Sequence, residues 1–143
     1  MSELRQREAR ERDKPYLGFI AGLPCISCMV RHGTIKRGVQ VAHCRASYPE
    51  EGWRHVGMQE KPHDARCTPL CVDCHLNGPH AQHRTNETQW WADLGIYPPD
   101  LCAALMDAFK AGRPGGAVLA SFAAGARKAK DVAALNPRRP LDQ

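Results

Sequence analysis

Two Cys-x2-Cys pairs constrain this chain more than any other feature: Cys25 with Cys28, and Cys71 with Cys74. Each pair fits a turn that presents two thiolates on one side, and two such turns complete a tetrahedral four-sulfur zinc site. One pair alone would be weak grounds for a metal. The competing reading, that one pair is a redox motif or simply buried thiols, lacks the βα unit on which a redox pair normally sits. Cys67, four residues before Cys71, is a possible substitute ligand. Cys44 and Cys102 have no partner at ligand spacing, and Cys102 falls on a helix face where a small buried residue is the default.

The composition agrees with a metal-stapled fold. A chain of 143 residues supports one core, and 6% aromatic residues with 12 Gly and 11 Pro make that core thin. An odd cysteine count, seven, speaks against a disulfide framework. No apolar run approaches a membrane span, and Met1 to Lys14 is polar and charged, unlike a secretory signal. The expectation is a cytoplasmic protein. A net charge of +5 is mild but fits approach to a polyanion.

Along the chain, residues 1–14 read as a charged arm. Asp13-Lys14-Pro15 opens a helix whose apolar face is Tyr16, Phe19, Ile20 and Leu23, stopped by Gly22 and Pro24. The first knuckle follows as a tight turn, with 29–38 a loop or hairpin limb. Val39 to His43 alternates like a strand, and 44–66 is a long loop. Thr68-Pro69-Leu70 leads into the second knuckle. A helix is predicted from Thr85 or Asn86 to Leu94, closed by Gly95. Another runs from Pro99-Asp100 to Gly112, and an alanine-rich helix from Ala117 to about Leu135 precedes a loose tail, 136–143.

A four-thiolate zinc leaves the histidines unexplained. His43 ends a strand between the knuckles, His75 follows the fourth cysteine directly, and His80 and His83 come shortly after. Together they could surround a second, open metal site.

With Cys25, Cys28, His43, Cys71, Cys74 and His75 in this order, the chain resembles the HNH, or ββα-metal, nucleases in their zinc-knuckle phage and prophage form. Ala42-His43-Cys44-Arg45, Lys61-Pro62-His63-Asp64 and Pro69-Leu70-Cys71 add to the likeness to lambdoid prophage members, which covers roughly residues 15–97. The resemblance implies an α+β fold: a ββα-metal core with two zinc knuckles, an N-terminal helix before it and C-terminal helices (98–135) after it. It implies a metal-dependent endonuclease acting on DNA, with His43 as the catalytic base and His75 as a ligand of the catalytic ion. Two departures stand out. Ala42 occupies the place where most members carry a metal-binding Asp or His, and the middle Asn has no counterpart. Asp64 fills one of these roles, or His80 or His83 supplies the ligand.

The chemistry is consistent with that assignment. A neutral imidazole can take a proton from water near pH 7. A single divalent ion can hold the scissile phosphate; imidazole ligands suit Zn2+, Ni2+ or Mn2+, and Asp64 shifts the choice toward Mg2+ or Mn2+. Arg45, Lys61 and Arg66 are candidate phosphate contacts, and a recombination protein such as RecA is a candidate partner. Plainer readings stand beside these. His43 could simply pack, His75 could complete a site of three thiolates and one imidazole, and His80 and His83 could be surface residues. Trp90-Trp91 reads as core before it reads as a base-stacking platform. The rival function is a non-catalytic zinc module that binds DNA or a protein, including a phage inhibitor of a host enzyme.

Overall fold

The computed structural model describes residues 13–54, 63–78, 81–82 and 86–135. Within them the chain is α+β, with five α-helices around one two-stranded antiparallel sheet. The expected helix α1 spans Lys14–Ala21, and its N-cap, Asp13, accepts the Tyr16 amide through Oδ1 at 3.1 Å. The knuckle that follows is not a bare turn. Cys25 caps a second helix, α2 (Ile26–His32), its Sγ accepting the Cys28 amide, and Gly33 closes it at φ 65°. The stretch expected to be loop from residue 29 therefore begins only after His32.

Strand β1 (Gln40–His43) pairs with β2 (Cys67–Leu70) in the register Gln40↔Leu70, Val41↔Pro69, Ala42↔Thr68, His43↔Cys67. Pro69 is tolerated because each strand of a two-stranded ribbon has an edge with no ladder to supply. Among its described residues, the connection between them holds two short 3-10 turns, Pro49–Glu51 and Asp64–Arg66, and a bridge between Tyr48 and Trp53. After β2 the second knuckle winds into a π-turn, Asp73–Asn77. Three helices follow among the described residues: α3 (Glu87–Leu94), α4 (Pro98–Lys110) and α5 (Gly115–Leu135).

The core is shared by the five helices and both strands. Tyr16 and Ile20 of α1, Ile26 of α2, Leu70 of β2, Trp91 and Leu94 of α3, Leu101 and Leu105 of α4 and Leu119 of α5 are buried in one cluster. Trp90 and Trp91 are both buried and meet edge to face, which makes them core rather than an open stacking surface. A smaller cluster of Cys44, Ala46 and Tyr48, with Trp53 and Tyr97 against it, forms in the first part of the connection between the strands. Among the described residues no helix is long and apolar enough to cross a membrane.

Candidate functional site

The ribbon carries a cysteine cluster at one end and a histidine–carboxylate pair at the other. Cys71 follows β2 directly, which brings the second knuckle onto the first. The Sγ atoms of Cys25, Cys28, Cys71 and Cys74 all lie within 4.8 Å of one another. Cys28 Sγ is 3.8 Å from both Cys71 Sγ and Cys74 Sγ. A tetrahedron with Zn–S bonds of about 2.3 Å has S···S edges of about 3.8 Å, so the spacing and donor set fit zinc. Burial, with the neighbouring Cys74 next, pushes the Cys28 thiol up to about 11. A divalent cation at the centre reverses that preference by stabilising the thiolates. These four residues are thus positioned to hold a structural metal ion.

At the other end, the 3-10 turn that begins at Asp64 turns this carboxylate inward, where it is 1% exposed. His43 Nε2 lies 3.0 Å from Asp64 Oδ1, and the Asp13 amide donates to Oδ2 at 2.7 Å. The same Asp13 caps α1, so the helix and the carboxylate are fixed together. Cys67, opposite His43 in the strand register, adds a thiol: ligand atoms of His43, Asp64 and Cys67 lie within 4.8 Å of one another. Cys67 therefore stands with this pair and not with the four knuckle thiols. Its proximity to His43 follows from register across a long connection, and no local signal in the sequence reports it.

His75 is held elsewhere. Its Nδ1 lies 2.8 Å from Gln40 Oε1. An amide oxygen only accepts, so Nδ1 donates and Nε2 carries the lone pair of the neutral ring. Among the described residues His75 belongs to neither ligand-sized cluster. Gln40 and His43 are three residues apart on one strand, so they leave β1 on opposite faces. His80, His83 and Lys61 lie outside the described residues.

The basic residues are partly engaged within the chain. Arg66 stacks over Trp53 with its Cζ 5.0 Å from the ring centroid, and Arg31 lies 5.7 Å from that of Trp90. Lys36 pairs with Asp73 at 3.3 Å, and Arg37 donates to the Gly22 carbonyl. The Arg45 amide donates to the Glu87 carboxylate, which also accepts from Gln82 Nε2 at 2.7 Å. Glu87 at the start of α3 thereby grips the chain two residues beyond His43.

No family model, curated protein or solved structure matches this chain.

Proposed function

We propose that this chain is a metal-dependent DNA endonuclease of the HNH type, in which the ribbon and the π-turn stand for the ββα-metal core. The observation that carries the reading is the pairing of His43 with the buried carboxylate of Asp64. An ionised Asp64 favours the tautomer with hydrogen on Nε2 and leaves the basic lone pair on Nδ1. It also stabilises the imidazolium that forms when His43 takes a proton from an attacking water. Because Asp64 is itself held by the Asp13 amide, the ring is oriented before substrate arrives.

A divalent ion, when bound, supplies charge neutralisation at the scissile phosphate. His75 is the side chain that would hold it, with His83 and His80 as further candidates. The Gln40 contact supports this role for His75, because it orients the ring and presents Nε2. Arg45, Lys61 and Arg66 would meet phosphates without reading sequence. The structural zinc on Cys25, Cys28, Cys71 and Cys74 would hold the ribbon that carries His43.

The separation of His75 from the His43 cluster favours, as a second reading, a zinc module that binds DNA or protein without cutting. Plasmid nicking with added Mg2+, Mn2+, Ni2+ or Zn2+, before and after chelation, decides between them. Nicking that depends on the added ion is the expected result. Binding without nicking under every ion establishes the second reading.

A further inference from the structure

Beside the Asp64 turn lies an open cavity of about 400 Å3. Trp53 and Arg66 line it as a stacked pair, and His63, the residue before Asp64, adds an imidazole. A face of α4 supplies Ala103 and Met106, with the carboxylate of Asp107 next to them. The lining thus joins a planar cationic stack, an apolar surface and one acceptor. Its volume falls in the range for one small ligand.

The lining says which ligand. A flat ring system fits the Trp53–Arg66 stack, since every nucleobase has a face that stacks on aromatic and guanidinium planes. Asp107 repels phosphate from its own part of the lining and accepts from a base amino group. Only a base out of its helical stack can enter such a cavity.

We propose that this cavity receives one unpaired nucleotide of the DNA, and that the substrate is looped, branched or single-stranded rather than intact duplex. The proposal rests on the nuclease reading for its choice of DNA, because the cavity is built on the residues that flank Asp64. Stacking of one base makes a bulged substrate bind about tenfold tighter than its fully paired counterpart.

The test uses the zinc-replete full chain without added divalent ion. The probe is a duplex with one bulged 2-aminopurine, compared with the same duplex fully paired. Binding should quench the bulged probe, and the bulged duplex should bind about tenfold tighter. Ala103→Phe, at an exposed position of α4, and Met106→Trp should each abolish the quench and the preference. Both should keep the melting temperature and the affinity for paired duplex. Equal affinity for bulged and paired DNA, or preference surviving in both variants, overturns the proposal and leaves the nuclease reading standing. Quenching that both variants abolish, with no cleavage under any ion, supports the pocket and removes the nuclease reading alone.

Discussion

Arg127 of α5 donates through Nη2 to the carbonyl of Met29, 2.6 Å away in the last turn of α2. Its Nε reaches the Val30 carbonyl at 3.3 Å. The Val30 carbonyl thus gains a donor from a helix nearly 100 residues later, the Met29 carbonyl gains one beside the Gly33 amide it already accepts, and a cation sits at the negative end of the α2 dipole. Arg127→Ala should lower stability by about 1 kcal/mol, discounted for the exposed position, and the melting temperature by roughly 4 °C. Gly33→Ala should destabilise further, since Gly33 has φ 65° and a Cβ there would meet the Arg127 guanidinium. Thermal unfolding followed by circular dichroism checks both; an unchanged Arg127→Ala melt refutes the capping role.

Removing the zinc site should unfold the chain. Cys25 both belongs to the four-thiol cluster and caps α2, so Cys25→Ser weakens two functions of one thiol. Metal bound by four thiolates can supply on the order of 10 kcal/mol to a small fold. One zinc per chain by elemental analysis is expected, with loss of helical signal on strong chelation. A metal-free chain that stays folded contradicts this.

Under the nuclease reading, His43→Ala should slow cleavage by about a hundredfold or more while zinc content and melting stay unchanged. His75→Ala should instead weaken the response to added ion, so that excess ion partly restores the rate. Wild-type cleavage by His43→Ala, measured in single-turnover assays, would falsify the assignment of the base.

Asp64→Asn should preserve the fold better than Asp64→Ala. The Asn oxygen can still accept the Asp13 amide, whereas Ala strands that donor at a cost of about 1–3 kcal/mol. Under the nuclease reading, cleavage should fall in both, because neither would hold the imidazolium of His43. Urea titrations that rank the two variants equally stable count against the clamp between Asp13 and Asp64.

Acid should loosen the small cluster around Trp53. Tyr97 donates to Glu50 Oε1 at 2.6 Å, and this bond holds the Glu50 carboxyl below its ordinary 4.5. A depressed acid contributes stability that is full above 4.5 and is lost as pH falls through the lower folded value. Trp53 sits against Tyr48, which also meets Tyr97. Tryptophan emission should therefore change in that acidic window in wild type and not in Glu50→Gln. Identical acid titrations of the two proteins rule the contact out.

What could be read from the sequence was local. Asp13, Asn86, Gly95, Pro99 and Gly112 mark helix ends by their own chemistry, and α1, α3 and α4 fall close to where those signals put them. The four knuckle cysteines converge as their spacing implies. Helix α2 is hidden in the sequence because it is short and starts on a cysteine, not on a usual cap residue. Strand β2 is hidden too, because all four of its residues are buried and one is Pro69, so neither alternation nor β propensity announces it. The neighbours of His43 depend on the β1–β2 register, which is a property of the folded ribbon and of no short segment.

Cys28 and Cys71 meet across 43 positions of sequence, and His43 and Asp64 across 21. Each contact closes a loop whose entropy is lost before any reward arrives. The local helices should thus form early, and the ribbon should form late. An ion captured by the first pair of thiolates would raise the effective concentration of the second pair and shorten that search. Refolding from denaturant should accordingly speed up with free zinc until the metal is saturating, making assembly of the ribbon a metal-paced event as well as a metal-stabilised one.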